Sequence, residues 1–367
     1  MIPGQHRTKG LWRQRLPSAP RGVWIVLALA WSAEMARAQS SVSALGDPGC
    51  SACRWELSKA PSVLEALHDA DLWFGRISDI SFDATGAVYV TDGLRHDVVR
   101  ANAAGGTSVV LGREGEGPGE FRLPFFVASA APNEILVYDL AQNRFSLFDT
   151  TGAYLDGFRS DELPLLEFLA VDDDRHVFVV PREGVQSRDR LIYQLDFAGH
   201  LVGSIPDPTP DAASQRGLVW WDRQSGTLWF SRKGPRVELL QFRHDGTLVR
   251  HVRGPDTFLV HANRMQYESE GGRVTVRARR PMGTIALFGL QRRYVVNVAR
   301  IDETGRVQYD VLRVADGAYM ASWIEPDSAV LVSGSDDAEW ASGISAEIPD
   351  VLRFRVRFTA WPNRPPS

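Results

Sequence analysis

Short stretches of the chain are continuously apolar, among them Phe126-Val127-Ala128, Val177-Phe178-Val179-Val180 and Leu218-Val219-Trp220-Trp221. Runs this short predict strands covered on both faces, because a strand with one wet face alternates apolar with polar residues. The polar positions between the runs repeat. Glycines ending polar turns stand at Gly105, Gly152, Gly199 and Gly246, each 47 residues after the last. Residues 144–152 are echoed by 191–199 and by 237–246, and Asp302-Glu303-Thr304-Gly305 reads as a fifth copy. Each copy predicts a hairpin whose Asp-x-x-Gly turn uses the freedom of glycine to take a positive φ. A second hairpin precedes each of these. It spans residues 80–90 in the first unit and 126–138 in the next, with later turns near 172–175, 223–226 and 326–328.

Four short strands in a unit of this length make one propeller blade, and helical periodicity is nearly absent. Units begin near Ile77, Phe121, Leu166, Gly217, Arg273 and Gly317. The sixth offers only three good strands, ending with residues 352–360, while a spare strand at 54–59 precedes the first unit. Pairing the spare strand into the last blade would close the ring and cover exposed edges. The fold expected is therefore all-β, a single six-bladed β-propeller domain over residues 54–361 with a tail at 362–367. Trp220, Trp221, Trp229 and Trp323 are expected to fill the wedges between blades rather than to stack on carbohydrate.

The N-terminal segment follows a different pattern. Arg7, Lys9, Arg13, Arg15 and Arg21 precede the apolar run 22–31, and Ala36-Arg37-Ala38 follows it. This is the layout of a signal peptide cleaved after Ala38, since ten apolar residues make a helix of roughly 15 Å against a hydrocarbon core of about 30 Å. Residues 1–38 are thus read as a signal peptide and 39–53 as a linker, in a protein exported to the periplasm or the medium. The linker carries both cysteines, in Cys50-Ser51-Ala52-Cys53. With no His after Cys53 and no further Cys, haem attachment and a structural zinc site lack ligands. A local disulfide is the leading reading and a thiol redox pair the other.

Composition narrows function by exclusion. The formal charge of −4 becomes −9 once residues 1–38, with six basic and one acidic residue, are removed. Such a chain has no electrostatic basis for gripping nucleic acid. No membrane span is expected after cleavage, and a monomer is expected.

Residues 111–124, Leu-Gly-Arg-Glu-Gly-Glu-Gly-Pro-Gly-Glu-Phe-Arg-Leu-Pro, are followed by Ile135-Leu136-Val137-Tyr138-Asp139 and Asn143-Arg144-Phe145. This run resembles NHL-repeat proteins, and the whole chain resembles the exported bacterial six-bladed β-propeller proteins related to them. The likeness is strong over residues 76–160 and architectural beyond. It implies the fold and no single activity, because propellers of this kind serve many functions. In this motif Gly and Pro steer the chain between blades, Phe121 can anchor the bend in the core, and Asp92 and Asp139 are expected to cap backbone amides.

Related lactonases of the gluconolactonase type hold calcium at the channel mouth with oxygens from several inner strands. The candidate inner-strand starts here are Asp79, Phe125, Glu167, Leu218, Val274 and Tyr319, of which Asp79 and Glu167 alone suit a metal. Asp172-Asp173-Asp174 falls at a hairpin turn, where Asp is favoured anyway. There is no G-x-S-x-G, and His68, His96, His176, His200, His244, His251 and His261 fall singly. An insert at about 254–282 breaks the spacing and carries His261, Arg264, Tyr267, Arg273, Arg277, Arg279 and Arg280. Its arginines could bind carboxylate, sulfate or phosphate bidentately, although Arg273-Val274-Thr275-Val276-Arg277 also alternates as a solvated strand would. The leading reading is a non-catalytic propeller without cofactor, binding a protein, peptide or glycan through loops on one face. A metal-dependent lactonase or hydrolase using Asp79 and Glu167 is the second.

Overall fold

The computed structural model describes residues 40–43, 50, 53–67, 72–102, 108–131, 133–159, 163, 166–181, 190–208, 216–233, 237–253, 266–270, 273–277, 283–301, 306–325, 329–335, 340–345 and 348–359. All belong to the unit Ser40–Ser367. The expected signal peptide and C-terminal tail lie outside the described residues.

Six antiparallel sheets form a six-bladed β-propeller. Blade 1 comprises β3 (Ile77–Phe82), β4 (Val88–Asp92), β5 (Asp97–Ala101) and β6 (Ser108–Leu111). Blade 2 comprises β7 (Pro124–Ala131), β8 (Glu134–Asp139), β9 (Arg144–Asp149) and β10 (Tyr154–Phe158). Blade 3 has β11 (Leu166–Val171), β12 (Val177–Pro181), β13 (Arg190–Leu195) and β14 (Leu201–Pro206), and blade 4 has β15 (Gly217–Asp222), β16 (Thr227–Arg232), β17 (Glu238–Arg243) and β18 (Leu248–Arg253). A separate hairpin, β19 (Gln266–Glu270) and β20 (Arg273–Arg277), precedes blade 5. Blade 5 has β21 (Gly283–Leu290), β22 (Tyr294–Arg300), β23 (Val307–Arg313) and β24 (Tyr319–Glu325). Blade 6 takes β25 (Ala329–Gly334), β26 (Trp340–Ser345) and β27 (Val351–Thr359) from the C-terminal side. It adds β2 (Arg54–Ala60) and then β1 (Ser40–Ser43) from the N-terminal side. The spare strand thus pairs with the last one, Trp55 opposite Phe358 and Leu57 opposite Val356.

The first strand of each blade lines the axis, each beside the next, and β25 lies beside β3. Because strands alternate in direction, two kinds of connection share the upper face: those entering the inner strands and those joining second to third strands. The first-to-second and third-to-fourth turns lie on the lower face.

The continuous apolar runs are explained by burial on both sides. Every residue of β4, β12 and β16 is buried. Six apolar clusters among the described residues fill the six wedges between neighbouring blades. The wedge between blades 5 and 6 holds the heaviest aromatic group: Trp55 lies 4.0 Å from Trp323, and Tyr309 stacks on Trp323 at 5.2 Å. Trp221, Trp229 and Trp323 are buried in wedges as expected. Trp220, partly buried, packs against the wedge of blades 4 and 5 and also lines the channel.

Turn chemistry accounts for the repeat. Asp149 accepts from the amides of Thr151 and Ala153, and Asp196 from those of Ala198 and His200. At Gly199 φ is +86°, and a Cβ there would come within 2.1 Å of the Arg159 carbonyl oxygen, so only glycine fits. Asp172 likewise accepts from Asp174 and His176, the turn role expected for that acidic cluster. Asp92 and Asp139 tie down the chain between blades. Asp92 accepts from the amides of Gly75, Arg76 and Leu94, and Asp139 from those of Arg122, Leu123 and Gln142. Phe121 is fully buried, anchoring the Gly/Pro bend.

The second half departs from expectation in phase. Arg273 and Val274 belong to the inserted hairpin, and blade 5 begins at Gly283. Tyr319 opens the outer strand of blade 5, not the inner strand of blade 6, which is β25. The turn expected near 326–328 lies outside the described residues. Gly152, Gly199 and Gly246 turn on the lower face, and the expected turn at 302–305 lies outside the described residues.

Cys50 and Cys53 form a disulfide, and both are buried in the wedge of blades 5 and 6. Closing so short a loop contributes at most about 2 kcal/mol on the chain-entropy account. The Cys50→Ala/Cys53→Ala double variant should lose no more than that in urea unfolding. A loss of about 4 kcal/mol or more would mean that packing of the sulfurs, not loop closure, is the main contribution.

Candidate functional site

The inner strands enclose a cavity of about 880 Å³ along the axis, with wall residues from all six blades. That is within the size range of small-molecule sites. Phe125, Phe168, Leu218, Trp220 and Leu287 make much of the wall apolar. Charged groups stand at both ends of the wall: Asp83, Asp222, Arg223 and Arg292 toward the lower face, and Asp79, Glu167 and Arg216 toward the upper one, where the inner strands begin.

Glu167, second residue of β11, is the centre of the upper group. Its carboxylate accepts from Arg216, whose Nε lies 2.8 Å from Oε2, and from Lys233 Nζ, 2.8 Å from Oε1. Both cations come from blade 4, Arg216 directly before β15 and Lys233 directly after β16, and the Lys233 amide donates to the Arg216 carbonyl. The ammonium also lies 4.4 Å from the centre of the Phe168 ring, a cation–π contact. Burial opposes ionisation of Glu167, but the two cations hold its carboxyl below the usual range. Burial pulls the Lys233 ammonium below its ordinary value, against the pull of Glu167.

Asp79, third residue of β3, is the other acid expected at the channel, and it does line the cavity. Its Oδ2 accepts from the Val127 amide of blade 2 at 3.0 Å. Burial among neighbours that supply no cation pushes its carboxyl up to about 7. Glu167 and Asp79 therefore share the cavity but not a common ligand set. No group of three or more His, Cys, Asp or Glu able to hold a metal occurs among the described residues. Calcium asks for six to eight oxygens. With Glu167 committed to two cations and Asp79 to a backbone amide, these residues do not make such a cage.

Of the insert's arginines, Arg264, Arg279 and Arg280 lie outside the described residues. Arg273 and Arg277 are on β20, where the register sets Arg273 opposite Glu270 and Arg277 opposite Gln266.

The upper face carries further features. Trp73, Leu94 and Ile348 are 55%, 56% and 61% exposed. Trp73 precedes β3, Leu94 turns between β4 and β5, and Ile348 lies between β26 and β27, so all three sit on the upper face of blades 1 and 6. Arg95 donates to the Trp73 carbonyl at 3.1 Å and lies 5.5 Å from the centre of its ring. On blade 4, Arg232 pairs with Asp207 at 2.8 Å and His251 with Glu238 at 2.5 Å. Sequence reasoning missed Arg216 and Lys233, since each stands one residue outside a strand and in no motif. The available signal was scarcity: Lys9, Lys59 and Lys233 are the only lysines in the chain.

No protein-family model matches the chain, and no curated protein matches it in sequence. Solved structures match its fold. A protein of Bacteroides fragilis assigned as exported is 13% identical with a TM-score of 0.55, over 83% of this chain and 95% of that one. The calcium-binding protein regucalcin of Agrobacterium tumefaciens is 13% identical with a TM-score of 0.50, over 83% and 96%. Virginiamycin B lyase of Staphylococcus aureus is 12% identical with a TM-score of 0.49, over 87% and 96%. At such identities the likeness extends to the fold alone.

Proposed function

We propose that this is an exported, non-catalytic propeller that binds a protein, peptide or glycan ligand through the upper face and the channel that opens beneath it. The observation that carries the reading is the channel itself. It is a wall of apolar and aromatic side chains whose acids are engaged by protein groups rather than arrayed around a reacting centre. The exposed Trp73, Leu94 and Ile348 supply the apolar anchors that partner surfaces use. Export is supported by the layout of residues 1–38 and by a Cys50–Cys53 disulfide, which suits an oxidising compartment. No helix among the described residues is long and apolar enough to cross a membrane.

The test is a binding screen of the purified exported protein against peptides and glycans, paired with metal analysis of the same sample. At least one ligand class should raise the melting temperature, with the shift lost in Trp73→Ala or Trp220→Ala. Stoichiometric calcium or zinc, released by Asp79→Ala, would sink this reading and restore the metal-dependent hydrolase.

A further inference from the structure

Asp79 places on the channel wall an acid that no cation among the described residues neutralises. The other acids of the wall are engaged: Glu167 by Arg216 and Lys233, Asp83 by Tyr89 and Arg100, and Asp222 by Ser225 and the Gln224 amide. Asp79 has backbone partners only, the Val127 amide of blade 2 at its Oδ2 and the Ile80 amide of its own strand. It keeps part of its surface exposed, and it lines the cavity. The Val127 amide asks for an acceptor and not for a charge. An amide or hydroxyl side chain would serve it without the cost of a desolvated carboxylate. The arrangement therefore points toward something that enters the cavity and meets the acid there.

The surroundings of the carboxyl define that ligand. The hydrogen bond from Val127 seats it against β7, the strand that carries Phe125 and Phe126 into the same wall. Phe125 stands edge-on to Phe126 at 4.8 Å, and Phe126 lies 5.6 Å from Phe168. A row of aromatic rings thus runs from beside the acid onto blade 3, and all three of its residues line the cavity. A protonated amine answers both features, because it donates to a carboxylate and its charge is attracted to an aromatic face. A neutral ligand would leave the carboxylate without a counter-charge, and an anion would be repelled by it.

We infer that the channel takes a ligand bearing a protonated amine on an aromatic or apolar body, the ammonium bound by Asp79 and the body lying along Phe125 and Phe168. This rests on the reading that the upper face and channel bind a ligand, and it names the chemistry recognised there. Small arylalkyl or alkyl amines and the free N-terminus of a peptide beginning with an aromatic residue both present that chemistry.

The experiment is calorimetric titration of the purified protein at pH 7.5 with phenethylamine, octylamine and a short C-terminally amidated peptide beginning with Phe. The uncharged N-acetyl form of each serves as its control. At least one amine should bind about tenfold or more tightly than its N-acetyl form. Binding by the small amines alone identifies a small-molecule ligand, and binding by the peptide alone a polypeptide start. Asp79→Asn keeps an acceptor for the Val127 amide, so that folding is preserved. It should weaken the amine by about tenfold and leave the N-acetyl form unchanged, a split that a merely structural acid does not give. The comparison of amine with N-acetyl form in the unaltered protein does not depend on that variant. Amine and N-acetyl form binding alike, or an amine bound equally well by Asp79→Asn, would overturn the inference. If neutral glycans or N-acetylated peptides bind while every amine fails, the inference falls and the binding reading stands. If no ligand of any class binds, both fall.

Discussion

Trp323→Ala should lower the free energy of unfolding by about 3–5 kcal/mol, the range for removing a fully buried large aromatic. Trp323 is on the outer strand of blade 5, fully buried, and packs on Tyr309 of its own blade and on Trp55 of blade 6. Trp55 in turn lies 6.3 Å from Phe358, its cross-strand partner. Tyr309 also accepts a hydrogen bond from the Leu331 amide of blade 6 at 3.2 Å. Removing the indole therefore leaves a cavity lined by groups that backbone pairing holds in place, which limits collapse. Urea unfolding followed by circular dichroism measures the loss. Trp323→Phe should recover more than half of it, since much of the ring contact survives. A loss below about 1 kcal/mol for the alanine variant would mean that the wedge repacks.

Asp79→Asn should stabilise the protein at pH 8 and leave it nearly unchanged at pH 4. The folded-state value of about 7 lies above the ordinary 3.8. Between those pH values the folded protein holds a proton that the unfolded chain has released. Stability falls as pH rises through that window, and the full cost is present above it. At about 1.36 kcal/mol per pH unit the cost is at most about 4 kcal/mol, reduced by whatever water the cavity admits. Asparagine keeps an acceptor for the Val127 amide while removing the charge. Asp310, fully buried and raised to about 6, accepts from Gln308 and Tyr319 and gives the variant a remaining decline of the same sign. Urea titrations at both pH values measure the difference. An equal gain at both would exclude the charge as its cause.

Blades 1 to 4 were legible because their turns demand particular residues: Asp149 with Gly152 and Asp196 with Gly199 recur where the backbone requires them. Blade 5 was misplaced for a physical reason. The inserted hairpin supplies an alternating strand, Arg273–Arg277, that satisfies the same local pattern as a blade strand. Gly317, expected to start the sixth unit, stands instead in the turn between the third and fourth strands of blade 5. Local sequence reports a turn but not the face on which it lies. The channel acids Asp79 and Glu167 could be named because inner-strand starts follow from the blade phase. Their partners could not, because Arg216 and Lys233 meet Glu167 only through the packing of blade 4 on blade 3.

The pairing of β2 with β27 has a consequence for the order in which the protein assembles. Lys59 finds Phe354 across roughly 300 residues of chain, a separation that makes closure a late, entropically costly step. Until Thr359 has been synthesised and delivered, the other blades form an open arc, with Trp55 uncovered and raw strand edges at both ends. For a chain threaded N-terminus first across a membrane, the interval between the arrival of Trp55 and that of Phe358 is when aggregation and proteolysis compete with folding.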